Sequence, residues 1–460
     1  MRIRADLSPE ALLPKIDAFF DMAAGKIRDI HDRWNPADGA PVFTVDGKYT
    51  SRSWTDWTMG FHVGMSILEF DATSDTEFLD IGRAKTVLYM APHLSHSGVH
   101  DHGFNNVSTY GNLRRLMLEG RIDRDPNELN FYELALKVSG AVQAMRYART
   151  SGGNGYIYSF NGPHSLFADT IRSMRSLVLA HSLGHVLKGE ADVSINLLDR
   201  ALEHAATTAK YNVYFGEGRD IYDVAGRVAH ESIFNPNDGN YRCPSSQQGF
   251  SPFTTWTRAA AWILLGFAEQ LEFLRTVDDA ELETAGGRET VETLFGKVVR
   301  ATADYYIDGY TCSDGIPFWD TGAPGLRHMA DYRSEPSDPF NDHEPVDSSA
   351  AAIAAQGLLR FGKHLISVGD ATDGDRYIHA GLTVADTLLS EPYISMDPGH
   401  EGLLLHSVYH RPNGWDNVPS GRNVPCSESS MWGDYHAMEL ALLIKRMAAD
   451  EYFTFFAENG

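Results

Sequence analysis

Helical periodicity limits what this chain can become more than any other feature. Apolar residues recur three and four apart along most of its length. The pattern predicts helices over about 8–32, 58–71, 75–92, 104–119, 129–149, 165–187, 190–210, 256–275, 287–305, 347–367, 374–389 and 431–448. Alternation of period two is scarce and confined to short pieces such as 156–160. Start signals support several helices: Ser74-Asp75, Thr254-Thr255, and Asp347-Ser348 after Pro345. A dozen helices joined by loops rich in Gly, Pro and Asp imply an all-α fold of stacked helical hairpins. Long loops at about 211–255, 308–346 and 390–430 carry aromatic and charged residues, as one elaborated face would. The polar stretch 278–288 is the best surface connection, and nothing in it marks a domain boundary.

Two predicted helices say more. In the stretch around Asp169, Phe167, Ile171, Met174 and Val178 form an apolar stripe. Asp169, Ser173 and Ser176 fall on the other side, toward water or a wet internal cavity, with water the default for such a face. The segment 347–355, Asp-Ser-Ser-Ala-Ala-Ala-Ile-Ala-Ala, is small and apolar nearly all round. Such a helix is buried on every side, as an inner ring of helices requires.

Composition excludes several functions. The net charge is −23, a field that repels nucleic acid, anionic membranes and long polyanions. An anionic ligand must then be small and held by local Arg and His. Cys243, Cys312 and Cys426 are odd in number and far apart, so neither a disulfide framework nor a cysteine zinc site is expected. No apolar run approaches the roughly 20 residues that span a bilayer. The N-terminus lacks a signal-like apolar region, and a cytoplasmic location is expected.

The chemistry centres on Val99-His100-Asp101-His102-Gly103-Phe104, a carboxylate between two imidazoles just before a helix. Three readings stay open: a metal site helped by His93 and His96, a helix cap by Asp101, or a catalytic carboxylate whose charge its histidines set. Asp169 is a second carboxylate near a helix start. Two carboxylates divide acid and base work when their environments separate their pKa values. In Thr255-Trp256-Thr257-Arg258-Ala259-Ala260-Ala261-Trp262, Arg258 sits in a first helical turn, against the dipole. With the free N–H groups there it would suit a carboxylate. Trp256 and Trp262 offer flat faces for a sugar ring; two core tryptophans and a snorkelling Arg are the plain alternative. Trp57, His230 and Gln248 are weaker candidates.

Taken in order, these stretches resemble the unsaturated glucuronyl hydrolases of glycoside hydrolase family 88. The matching segments are Trp57-Thr58-Met59-Gly60-Phe61, His100-Asp101-His102-Gly103-Phe104, Phe167-Ala168-Asp169-Thr170-Ile171 and Gln248-Gly249-Phe250. Trp256-Thr257-Arg258 with Trp262, Pro345-Val346-Asp347-Ser348-Ser349-Ala350-Ala351-Ala352 and Met431-Trp432-Gly433-Asp434-Tyr435 complete the series. The resemblance implies a single (α/α)6-barrel domain over residues 1–460: six helical hairpins, an inner ring within an outer ring. It implies removal of a 4,5-unsaturated uronic acid from the non-reducing end of a lyase-generated oligosaccharide, by hydration of the enol-ether double bond. Carried over, Asp169 protonates C4 and then activates the water that attacks C5. Asp101 holds the ring hydroxyls and keeps the pKa of Asp169 high. His100, His230, Gln248 and Arg258 surround the substrate, and Trp57, Trp256 and Trp262 line the subsite. No metal and no organic cofactor are implied.

Some positions depart from that pattern. Phe160 and His62 stand where tryptophan is common, His102 replaces an apolar residue, and residues 173–175 differ from an Asn- and Met-rich run. These changes bear on the neighbouring sugar more than on the reaction. Arg422 or Arg411, in the loop 411–428, is expected to meet an acidic or sulfated group there. The alternatives are an unsaturated rhamnogalacturonyl hydrolase, a glucuronidase acting on saturated glucuronides at the anomeric carbon, and a non-catalytic sugar-binding protein.

Overall fold

The computed structural model describes residues 1–53 and 56–456. In chain order its helices are α1 (Pro9–Arg33), α2 (Met59–Thr73), α3 (Thr76–Tyr89), the single turn α4 (Ala91–Leu94), α5 (His102–Asn105), α6 (Asn112–Leu118) and α7 (Pro126–Ala144). There follow α8 (Thr170–Ser173), α9 (Arg175–Ser182), α10 (Leu197–Tyr211), α11 (Thr257–Leu274), α12 (Arg288–Asp304), α13 (Ser348–Ser367), α14 (Ala371–Leu388) and α15 (Met431–Ala448). Short 3₁₀ and π turns and small two- and three-stranded sheets fill the loops.

These helices alternate between two environments. α2, α11, α13 and α15 are buried along almost their whole length, as are α5 with α6 and α8 with α9. They contact one another in a closed circuit, α2 to α5 and its π turn, α5 to α8, α8 to α11, α11 to α13, α13 to α15 and α15 back to α2. Outside this ring lie α1, α3, α7, α10, α12 and α14, each packed on inner neighbours. α1 shows why: Leu12, Ile16, Phe19, Ala23, Ile27 and Ile30 make its one buried stripe. Among the described residues this is six hairpins, the (α/α)6 barrel. The small residues Ala350, Ala351, Ala354 and Ala355 are all fully buried, so α13 is an inner helix, as its composition requires. One hydrophobic cluster runs from Leu7 to Phe456. Among the described residues, no helix is long and apolar enough to cross a membrane.

Differences from the periodicity have local causes. The stretch 165–187 is not one helix. Ser165–Phe167 is an extended edge paired antiparallel with Glu231–Phe234, which pairs in turn with Tyr241–Ser245. Helix begins only after Asp169. The face carrying Ser173 and Ser176 meets no water: both are buried against Gln143. The stretch 104–119 is interrupted by a π turn over Val107–Gly111, where Thr109 and Asn112 bond back to the carbonyls of Asn105 and Ser108. α10 starts at Leu197 rather than 190 because Asn196 caps it, accepting from the N–H groups of Leu198 and Asp199. Residues 147–149 leave α7 and pair with 155–157. Thr254-Thr255 is not a cap: Trp256 occupies that position without a side-chain bond, and Thr255 Oγ1 accepts from Val228 N. Asp347 does cap α13, accepting from Ser349 and Ala350.

Candidate active site

All inner helices start at the same end of the barrel, and a cavity of about 470 Å³ lies there. Both acids line it. Each stands at a helix start, Asp101 before α5 and Asp169 before α8, and neither side chain caps its helix. Plain capping by Asp101 is therefore excluded, and both carboxylates are left for the cavity.

His100 links them. Its Nε2 lies 2.9 Å from Asp169 Oδ2 and 3.8 Å from Asp101 Oδ1. Phe160 stacks parallel to the imidazole at 6.0 Å, and Phe167 packs edge-on at 5.6 Å. Burial alone would lower the His100 pKa, but the two carboxylates raise it. Burial would raise Asp169, but the hydrogen bond and charge of His100, with His230, hold it below the usual carboxylate range. Asp101 is pushed up, by burial first and by the nearby Asp169 charge, against the pull of His100. Of the two acids, the one pushed up is Asp101 and the one held down is Asp169. The two acids shift in opposite directions because His100 bonds Asp169 directly and reaches Asp101 only at longer range.

His230 lies behind Asp169, buried and outside the cavity lining. Its Nδ1 accepts from the backbone N–H groups of Gln247 and Gln248 at 3.1 and 3.3 Å. Burial lowers its pKa to about 4, so the ring is neutral and its one proton must sit on Nε2. That N–H lies 3.8 Å from Asp169 Oδ1. Neither atom has a hydrogen-bond partner among the described residues. The gap is too long for a bond and suits an oxygen touching both.

Arg258 lines the cavity but is committed. Its guanidinium pairs with Asp347 at 2.8 Å and donates to the carbonyls of Val408 and Tyr409 and to Gln248 Oε1. It lies between the rings of Trp256 and Trp432, 4.5 and 4.9 Å from their centres. The expected free carboxylate clamp is thus a wall-building residue, and the snorkelling alternative fails because Arg258 is 2 % exposed. Trp57, Trp256 and Trp262 line the cavity with Gln248. Trp57 stacks on Trp432 at 5.2 Å, and Trp262 packs on Phe104 at 4.9 Å.

Arg422 lies apart from the two acids. It is exposed, donates to the Phe340 carbonyl and lies over the Phe340 ring, away from the cavity lining. That loop's contribution comes instead from Tyr409, His410, Asn413 and Trp415. No motif singled these out; the density of aromatic residues between 390 and 430 was the signal available. His102 faces away, to Ser139 and the His96 carbonyl, and so joins no cation site with Asp101. His100, Asp101 and Asp169 bring donor atoms within 4.8 Å of one another, and one imidazole with two carboxylates suits a divalent ion of the zinc or manganese kind. A larger hollow, about 730 Å³, lies at the far end of the barrel beside Phe455 and Phe456. Its lining carboxylate, Glu281, is paired with His181, so it lacks the two-acid arrangement.

No family model matches the sequence. The chain is 26% identical to the unsaturated glucuronyl hydrolase of Bacillus sp. strain GL1 over 413 residues, 87% of this chain and 89% of that one. It is 25% identical to that of Formosa agariphila over 389 residues, 84% and 78% of the two chains. A solved unsaturated glucuronyl hydrolase specific for heparin superposes with a TM-score of 0.70, covering 96% of this chain and 99% of its own, at 19% identity. The fold defines a class, the (α/α)6 barrels. Within it the chain is related to the unsaturated glucuronyl hydrolases, as its motifs imply.

Proposed function

We propose that this chain, acting as one domain, releases a 4,5-unsaturated glucuronic acid from the non-reducing end of a small oligosaccharide by hydrating the C4=C5 bond. The observation that carries this reading is the 2.9 Å contact of His100 Nε2 with Asp169 Oδ2 beside a second buried acid, Asp101, in an aromatic-walled cavity. The names of the relatives support the substrate class.

The steps proposed are those the resemblance implies, and the geometry is consistent with them. As the ring enters, water leaves and an ion pair is harder to maintain. The proton passes across the 2.9 Å bond from His100 Nε2 to Asp169 Oδ2. Asp169 gives it to C4, and positive charge develops at C5 and the ring oxygen. A water held between His230 Nε2–H and Asp169 Oδ1 loses a proton to Asp169 and attacks C5. The product hemiketal opens to a C5 ketone, which leaves a hemiacetal at C1; its collapse to an aldehyde breaks the C1–oxygen bond and frees the neighbouring sugar. Asp101, with its raised pKa, is placed to bond ring hydroxyls. No step requires a metal or organic cofactor.

Among the described residues, the only Arg or Lys lining the cavity is the committed Arg258, and Asp56 adds a carboxylate to the lining. This favours an unsulfated neighbouring sugar. We also propose a cytoplasmic location, consistent with three free cysteines, one of them exposed.

Ultraviolet absorbance tests the reaction. A lyase-generated unsaturated disaccharide absorbs through its conjugated double bond, and hydration removes the signal. The expected result is a falling signal with wild type, unaffected by a chelator and lost in Asp169→Asn. A flat trace across chondroitin-, heparin-, xanthan-, ulvan- and pectin-derived disaccharides overturns the reading.

A further inference from the structure

Neither acid-bearing segment is rigid by itself: each acid ends a loop and opens a helix of only four residues. Something must fix them relative to one another. Gly103, two residues after Asp101, sits directly on the backbone of Ser173, four residues after Asp169. A Cβ on Gly103 would lie 2.4 Å from the Ser173 carbonyl oxygen and 2.6 Å from its Cα, so only glycine permits this approach.

The contact is pinned from an outer helix. Gln143, on α7, is fully buried and outside the cavity lining. Its amide N–H₂ donates to the His100 carbonyl at 2.6 Å and to Ser173 Oγ at 3.0 Å. Ser173 Oγ also accepts from Gly103 N at 2.8 Å, and Ser176 donates to the Gln143 carbonyl oxygen. One amide therefore holds both the segment before Asp101 and the helix after Asp169. The α7 backbone is brought close enough by Gly140, where a Cβ would lie 2.5 Å from Ser176 O.

We propose that Gln143, acting through Ser173, is a positioning residue that sets the His100–Asp169 hydrogen bond and hence proton delivery to the substrate. This rests on the hydration reaction proposed above. Gln143 touches no substrate, so its loss slows the proton step without weakening binding. A displacement of about 1 Å at reacting atoms costs about 10²-fold in rate.

The test uses Gln143→Met, which keeps the shape and removes both donors, Ser173→Ala, and the double variant. The expected result is a kcat lowered about 10- to 100-fold in each single variant, with KM within about twofold of wild type. The double variant should be no slower than the worse single one, since both remove one linkage. A second readout is independent of turnover: the ¹⁵N signal of the His100 ring in folded, ligand-free protein should lose its hydrogen-bonded character in Gln143→Met. An unchanged His100 signal overturns the proposal whatever the assay shows. So does a folded Gln143→Met enzyme with wild-type kcat, or one whose loss lies wholly in KM. If wild type hydrates nothing, the reaction has failed, while the His100 signal still decides the clamp.

Discussion

His100 is the residue on which the proposed chemistry turns, and its behaviour with pH can be worked out. Its pKa is raised by the two carboxylates, so it holds its proton beyond the usual histidine range and loses it as pH rises through that raised value. Asp169 is depressed and ionised down to low pH. The dyad therefore carries its one working proton between these limits. The kcat/KM profile should fall on the basic side at a pH above the ordinary histidine value, and His100→Asn should remove that limb along with most of the activity. A profile still rising through that region counts against the dyad. Stability follows the same signs. The His100 contribution is fully present below its unfolded pKa and lost as pH rises through the raised one. The Asp169 contribution is present above the ordinary carboxylate value and lost as pH falls through the depressed one. Asp169→Asn keeps the shape but cannot donate to carbon, and turnover should drop at least about 10³-fold with ligand retained, as measured by calorimetry with the unsaturated disaccharide.

At the scale of elements, the inner helices are legible in sequence where their neighbours are uniform. The alanine run in α13 can only be buried, and the stripe of α1 can face only one way. What periodicity misses is where side chains compete with the helix ladder. Asn112 and Thr109 bonding back to carbonyls make the π turn between α5 and α6, and no apolar spacing signals that. The residues 165–167 read as helix because Leu166 and Phe167 continue an apolar pattern, and only a distant partner, Glu231–Phe234, makes them extended. Arg258 is a similar case. Its position against the dipole does mark a special role, but sequence cannot reveal Asp347 as the partner that consumes it. Asp347 both caps α13 and neutralises Arg258. Asp347→Ala should cost about 3–5 kcal/mol by denaturant unfolding, since it leaves a buried guanidinium without its charge partner. A loss under about 1 kcal/mol would mean that the carbonyls of Val408 and Tyr409 suffice.

Across the whole molecule, an anionic sugar must approach a protein of net charge −23. The sequence suggests local Arg and His as the remedy, yet Arg258 is spent. The architecture offers another source. Every inner helix begins at the cavity, so the positive ends of their dipoles converge there while their negative ends lie at the far side. Arg115, Arg360 and Arg446 gather at that far side near the helix ends, paired with Asp71 and Glu272. The cavity field is short-ranged and buried; the repulsion is long-ranged and exposed to salt. Raising ionic strength from about 10 to about 150 mM should therefore lower KM for the unsaturated disaccharide about two- to threefold and leave kcat alone. A KM that rises with salt would show attraction over distance instead.

The closed circuit of inner helices has a bearing on how the protein is made. α15 is the last segment of the ring, and it fills the place between α13 and α2. Until residues 431–448 leave the ribosome, those two helices lack the Tyr435, Trp432 and His436 that cover Phe61, Ser349 and Gln356 in the fold. A nascent chain of this design has no stable halfway form. It emerges as an open arc of sticky hairpins, and becomes safe from aggregation only when its final wedge drops in.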